Sequence, residues 1–314
     1  EADRMLDMGF QADMEKILRQ TPQSRQTVLF SATFPATIEA MGQAHLRNAV
    51  RVTIEDAELE TPEIRQLSLI VDSDDKVEAL RWVLNQHPHE AALIFCNFKA
   101  TVAELSRTLA ASGASVDCLH GDLDQFHRDQ VLARFRNQSV RILIATDVAG
   151  RGIDVDDLDL VINYELPAKP EVYVHRIGRT GRAGRGGLSV SLATAREKAK
   201  LKAIEELTGA PLERLSRPDG ESGGGQTFTR DAKMATILIS GGRKDKLRPG
   251  DILGALTGEA GGLQATDVGK IEIHDRLTYV AVAKRVSRDA VKSLNRGRIK
   301  KKRFRASLVG RARA

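Results

Sequence analysis

Only two cysteines occur in the 314 residues, Cys96 and Cys118, far apart and outside any Cys-x-x-Cys pattern. That scarcity excludes a disulfide framework and offers no zinc spacing. Both thiols read as core residues. Apolar runs are short; Ala91 to Cys96 is among the longest, far below the ~20 residues that a membrane-spanning helix needs. No signal peptide is visible, and the chain opens at Glu1 without a Met, so a preceding segment is expected to be missing and a cytoplasmic location is expected.

What is present is ordinary for a globular protein: 41% hydrophobic and 29% charged residues, enough chain for two or three compact units. The charge is unevenly placed. The formal net charge is +6, but from Lys284 to Ala314 thirteen Lys and Arg face the single Asp289. The basicity therefore sits in the tail of a mildly acidic chain, which points to a polyanion held at one place.

Arg4 to Gln20 has helical apolar spacing, and TVLFSATF at 27–34 reads as a buried strand entering a helix at Pro35. The acidic, Pro-containing ELETPEIR breaks the periodicity as a linker would. From Gln66, short apolar strands (LSLIV, LIFC, VDCL, RILIA, LVINY, LSVSL) alternate with amphipathic helices, the pattern of a parallel, doubly wound sheet. Gly113 and Gly209 stand where helix C-caps are expected. GAPLERLSRPDGESGGGQTFTRD has the composition of a flexible linker. Beyond it the order β-α-β-β-α-β describes a ferredoxin-like sandwich, the frame of an RNA-recognition motif. The expected division is 1–58 as the end of one α/β domain, 59–65 linker, 66–210 a complete second α/β domain, 211–233 linker and 234–314 an α+β domain.

Three sites carry the chemistry. Glu1 and Asp3 form a carboxylate pair ahead of a helical pattern, and Ser31 and Thr33 put hydroxyls at a strand end, where α/β sheets meet ligands. The most telling is HRIGRTGRAGR at 175–185, in which Arg176, Arg179, Arg182 and Arg185 recur every three residues between Gly178, Gly181 and Gly184. A helix surface would not carry those glycines, at ~1 kcal/mol each. They let the backbone come close to a partner toward which guanidinium forks can point, and such forks pair with phosphate oxygens. Upstream, ATDVAGRGID at 145–154 mixes Gly, hydroxyl, Arg and carboxylate after a strand.

In order and spacing, EAD, SAT, LIFCN, HGDLDQFHR, ATDVAGRGID and HRIGRTGRAGR resemble motifs II to VI of DEAD-box RNA helicases, across residues 1 to about 210. His175 favours the DEAD over the DEAH branch. The tail, with SGGRKDKLRPGDILGALTGEAG, VGKIEIHD and TYVAV, resembles the RNA-binding domain of helicases of the DbpA type.

The resemblance implies two RecA-like domains drawn together by ATP and RNA, with hydrolysis coupled to local strand separation. It implies Glu1 acting on the attacking water, Asp3, Ser31, Thr33 and His175 coupling the domains, and Arg179 and Arg182 as arginine fingers. Gly152 and Asp154, with those two arginines, would hold ATP; Gly121, Arg128 and Thr146 would contact the RNA backbone. The Mg²⁺-binding Asp is expected before Glu1, together with the Walker A loop, so these 314 residues alone are expected not to hydrolyse ATP. In the tail, ILISGG has no aromatic and the third strand offers only Tyr279, as platform or core residue. Lys300, Lys301, Lys302 and Arg303 are expected to bind RNA, with a large-subunit ribosomal RNA hairpin as target and ribosome assembly as the setting. The protein is expected to be monomeric. The alternative is a non-catalytic RNA-binding or chaperone protein on a helicase-like core.

Overall fold

The computed structural model of the chain describes residues 2–7, 9–31, 34, 36–53, 64–150, 155, 158–181, 186–218, 231–258 and 261–310, apart from the side chains of Asp3, Arg4 and Asp7. The chain divides into two compact units, Glu1–Leu59 and Glu60–Ala314.

Among its described residues the first unit holds three helices, α1 (Ala2–Asp7), α2 (Gln11–Gln20) and α3 (Ala36–His45). Of the buried strand expected at 27–34, residues 27–31 run without regular structure, with Val28 and Phe30 exposed. A parallel strand is held by ladder bonds to its neighbours. No strand stands beside this segment among the described residues of the unit.

The second unit begins with the expected alternation. In chain order it runs β1 (Ile64–Ile70), α4 (Lys76–Gln86), β2 (Ala92–Cys96), α5 (Lys99–Ala111), β3 (Val116–Leu119) and α6 (Gln125–Arg136). It continues with β4 (Ile142–Thr146), α7 (Asp147–Gly150), β5 (Leu160–Asn163), α8 (Pro170–Ile177), β6 (Gly187–Ala193), α9 (Lys198–Thr208) and β7 (Glu213–Arg214). The strands form one parallel sheet in the order β3-β4-β2-β5-β6-β1-β7. β7 lies in a stretch expected as linker, yet it pairs with β1, and Arg65 clamps Glu213 across that edge at 2.5 and 2.8 Å.

β2 shows why the sheet forms. All five residues of ALIFC are buried, and the period of two sends them to opposite faces. Ile94 and Cys96 join the core under α4 and α5, while Leu93 and Phe95 join the core under α6 with Val131, Leu132 and Phe135. Burying each such large apolar side chain stabilises by about 1.5–3 kcal/mol, which favours continuous apolar strands covered on both sides. Gly209 caps α9 at φ 66°, and Gly113 follows α5 at φ 84°, both in the left-handed region that glycine occupies without strain.

The tail adds β8 (Met234–Ile239), α10 (Pro249–Thr257), β9 (Val268–Ile273), β10 (Thr278–Ala283), α11 (Ser287–Arg296) and β11 (Ala306–Leu308). Its antiparallel sheet has the order β11-β8-β10-β9, the ferredoxin-like arrangement expected. Ile237, Ile239, Val280 and Val282 pack under α10 and α11 with Ile252, Leu256, Ala290 and Leu294. The opposite face carries Thr236, Glu272, Tyr279 and Ala281, which stand opposite one another in the strand register.

That second face is covered by the end of α6. Arg136 donates to both oxygens of Glu272 at 3.0 and 2.8 Å, Asn137 donates to the Thr236 hydroxyl at 3.3 Å, and Ser139 shares a 2.7 Å hydrogen bond with the same hydroxyl.

Candidate functional site on the edge of the parallel sheet

Ligands of open α/β sheets bind beyond the C-terminal strand ends, where neighbouring connections diverge. The connection leaving β2 runs toward β3, whereas the one leaving β5 runs toward β6 on the other side. Over this parting sits Arg176, 1% exposed. Its guanidinium donates to both carboxylate oxygens of Asp147 at 2.6 and 2.7 Å, to Oδ1 of Asn97 at 2.8 Å and Oδ1 of Asn163 at 3.1 Å, and to the Glu165 carbonyl at 2.7 Å. The Phe95 ring lies 5.1 Å from it.

One side chain thus ties the segment after β2, the segment after β4 and the helix α8. The regular Arg spacing had suggested four guanidinium groups pointing outward; Arg176 instead is consumed inside the fold. Glu165 fixes the same corner by accepting the Asn97 backbone N–H at 2.7 Å, and the Asn97 amide donates to the Leu166 carbonyl at 2.9 Å. Burial raises the Cys96 thiol above its ordinary pKa, so it stays neutral beside this network.

Helix α8 starts with Pro170 in its first turn, where the missing N–H costs nothing, and ends at Gly178. Beyond the helix, Arg179 is held through its main chain: its N–H donates to the Arg176 carbonyl and its carbonyl accepts from Leu158 N–H at 3.1 Å. Thr180 follows, its hydroxyl donating to the Leu158 carbonyl. Gly181, at φ 71°, is required twice over, since a Cβ there would also come within 2.7 Å of Ile64. The glycines thus lock the turn that presents the half-buried Arg179.

Along the same edge, Gly121 follows β3 and faces open space, with nothing within 4 Å of where a Cβ would stand. Arg128, in the first turn of α6, donates to the Ala149 carbonyl at 2.7 Å and so ties α6 to α7. Thr146 ends β4, and its hydroxyl accepts the Ala149 N–H at 3.4 Å. Gly121, Arg128 and Thr146 are therefore neighbours on one edge. His175 is half-buried in the last turn of α8. In the first unit Ser31 is half-buried. Glu1, Thr33, Gly152, Asp154, Arg182 and the side chain of Asp3 lie outside the described residues.

In the tail, Tyr279 is fully buried on the face that α6 covers. Its ring meets His274 edge-on at 5.5 Å, its hydroxyl has no hydrogen-bond partner, and burial, with smaller contributions from Asp129 and Glu272, pushes its pKa up to about 12. Of the two readings left open for Tyr279, platform or core residue, its burial under α6 favours the core residue. Of the basic run, Lys300 pairs with Asp251 at 2.9 Å and Lys302 approaches Asp245 at 3.9 Å. Lys301 and Arg303 are exposed and form no ion pair with a described residue.

Comparison with known proteins decides the family. Residues 1–41 match the model of the DEAD/DEAH box helicase, 75–184 that of the helicase conserved C-terminal domain, and 236–308 that of the DbpA RNA binding domain. The ATP-dependent RNA helicase DbpA of Escherichia coli is 43% identical over 309 residues, 98% of this chain. The chain belongs to the DbpA-like DEAD-box RNA helicases. The Bacillus subtilis helicase DbpA is 35% identical over 90% of the chain, and the chain spans 66% and 62% of the lengths of these two relatives. Among solved structures, Saccharomyces cerevisiae Dbp5 bound to RNA and ADP BeF3 is 34% identical, covering 68% of this chain and 57% of that one, with a TM-score of 0.61. No helix among the described residues is long and apolar enough to cross a membrane.

Two features escaped sequence reasoning: the burial of Arg176, for which the only cue was its place inside α8 rather than after it, and the cover over Tyr279, which no local signal announced.

Proposed function

We propose that this chain is the motor-completing and RNA-targeting part of an ATP-dependent RNA helicase that couples hydrolysis to local strand separation on ribosomal RNA during large-subunit assembly. The observation that carries the reading is the convergence of the segments after β2 and β4 with α8 on Arg176, next to a turn that holds Arg179 at the C-terminal edge of the sheet. The turn that presents Arg179 at that edge suits a phosphate, and Arg179 with Arg182, Gly152 and Asp154 would hold ATP. ATP, bound with Mg²⁺, supplies the phosphoanhydride that is cleaved. Arg179 and Arg182 would offset charge developing on the phosphoryl oxygens, which is worth ~10³-fold or more in rate. Glu1 would orient water, while Asp3, Ser31, Thr33 and His175 would couple nucleotide to RNA.

Gly121, Arg128 and Thr146 would take the RNA backbone, and the basic tail a ribosomal RNA hairpin, with Lys301 and Arg303 best placed to meet phosphate. Work on ribosomal RNA would place the protein in the cytoplasm, acting as a monomer.

The test is RNA-stimulated ATPase in the full-length protein. Arg182→Ala should lower kcat ~10³-fold with RNA affinity nearly unchanged. Turnover near wild type would end the arginine-finger assignment.

A further inference from the structure

Aromatic residues are scarce in this chain, at 4%, and nearly all of those described in the second unit are buried or half-buried. Two are not: Phe98 is 66% exposed and Phe126 is 46% exposed. Both stand on the edge already described. Phe98 lies two residues beyond the end of β2, and Val148, 59% exposed, lies two residues beyond the end of β4. Because Cys96 and Thr146 are register partners, the segments that carry Phe98 and Val148 leave the sheet at the same level from adjacent strands. Phe126 sits in the first turn of α6, which Arg128 ties to α7 directly behind Val148. A further link binds this rim together: Lys99, beside Phe98, clamps Asp122, beside Gly121, at 2.9 and 3.0 Å.

Leaving these rings in water forgoes the stabilisation that burial would bring, so their position on one edge calls for an occupant with a flat, apolar face. Protein and RNA could each supply one. The rim favours RNA: a cation follows each ring closely in sequence, Lys99 after Phe98 and Arg128 two residues after Phe126, the interleaving of stacking and basic groups that suits single strands. Open space at Gly121 lets a backbone approach between them.

We propose that Phe98 and Phe126 form a stacking rim that grips bases of a single RNA strand, with Val148 as apolar floor, so that this domain holds the bases of the strand as well as its sugar-phosphate backbone. The inference rests on the RNA reading of the edge given above.

The experiment measures binding of the 314-residue chain to single-stranded RNA of about twelve nucleotides and to an abasic sugar-phosphate oligomer of the same length, a span suited to one site. To keep the tail from masking the rim, Lys300, Lys301, Lys302 and Arg303 are changed to Ala in the background chain. There, Phe98→Ala and Phe126→Ala should each weaken RNA about tenfold, leave the abasic oligomer unaffected and leave the salt slope unchanged. Phe98→Tyr and Phe126→Tyr should retain wild-type affinity, which guards against a folding defect. Equal losses for both oligomers, or none for either, would overturn the rim and leave a protein partner as its occupant. If the unmodified chain binds RNA but the background chain does not, the rim alone fails. An unmodified chain that binds neither oligomer would remove the RNA reading itself.

Discussion

The two sheets of the second unit solve the same problem in different ways. In the parallel sheet, helices of the same domain cover both faces, so Ile94 and Cys96 on one side and Leu93 and Phe95 on the other are all sealed locally. In the antiparallel sheet, α10 and α11 seal one face only, and the other is closed by the end of α6, which belongs to the preceding domain. The lesson is that neither sheet offers a face to a ligand. Recognition is pushed to edges and loops in both, to the C-terminal edge of the first and to the basic loops of the second.

The comparison breaks hardest at Arg176. If this guanidinium is what holds the edge together, Arg176→Ala should leave Asp147 and the Asn97 and Asn163 side chains without their partner and cost about 4 kcal/mol. For a domain of this size that corresponds to a fall in Tm of roughly 10 °C, measured by calorimetry. Arg176→Lys should lose most of it too, because an ammonium cannot reproduce the fork that spans five acceptors. A Tm within a degree or two of wild type would mean that the edge is assembled by the strands alone.

The second break concerns the shared face. Arg136→Ala leaves the Glu272 carboxylate half-buried without its fork and should cost about 2 kcal/mol of docking, discounted for its partial exposure. The exchanged pair, Arg136→Glu with Glu272→Arg, should recover part of it. Undocking has its own signature: Tyr279 should titrate nearer to the ordinary tyrosine value than to about 12, visible in an ultraviolet titration. A Tyr279 titration unchanged by Arg136→Ala would show the cover to be held by other contacts.

The same face should respond to acid. Burial alone would raise the Glu272 pKa, but the Arg136 guanidinium and the Lys270 ammonium outweigh it and hold the carboxyl below the ordinary value. A depressed folded-state pKa means stability that is present above the unfolded value of about 4.3 and is lost as pH falls through the folded value beneath it. Docking should therefore be insensitive to pH near neutrality and weaken below about pH 4 in wild type. In Arg136→Ala that acid step should shrink, and an equal step in both proteins would remove Glu272 as its source.

Much of this was legible beforehand, and the limits are instructive. Alternating apolar strands and amphipathic helices announced the parallel sheet because each strand is buried by its own neighbours in sequence. Gly113 and Gly209 marked helix ends because a left-handed residue is a local need. The strand expected at 27–34 is not formed over its described residues 27–31, because a strand depends on partners, which residues of the same segment cannot provide. The linker expected from residue 211 includes β7, held by a long-range clamp to Arg65. Tyr279 was undecidable for the same reason, its cover coming from residues about 140 positions earlier in the chain.

The smallest expected effect separates the loops from the faces. If the tail binds RNA by charge on its loops, each phosphate neutralised adds about −0.7 to −0.9 to the slope of log K against log salt. The four cations are not equivalent: Lys300 is engaged with Asp251 and the Lys246 carbonyl, and Lys302 stands near Asp245, while Lys301 and Arg303 form no ion pair with a described residue. Changing Lys301 and Arg303 to Ala should therefore flatten the slope by about 1.5. Adding Lys300→Ala and Lys302→Ala should flatten it by less than the same amount again, because those charges are already partly spent. Tyr279→Phe, which removes only a buried hydroxyl without a partner, should leave both affinity and slope unchanged and raise stability by up to about 1 kcal/mol. Filter binding across a salt series decides between loop and face: a lower affinity in Tyr279→Phe would return the sheet face to RNA, and four equal contributions to the slope would mean that RNA displaces Asp251 and Asp245 from their lysines.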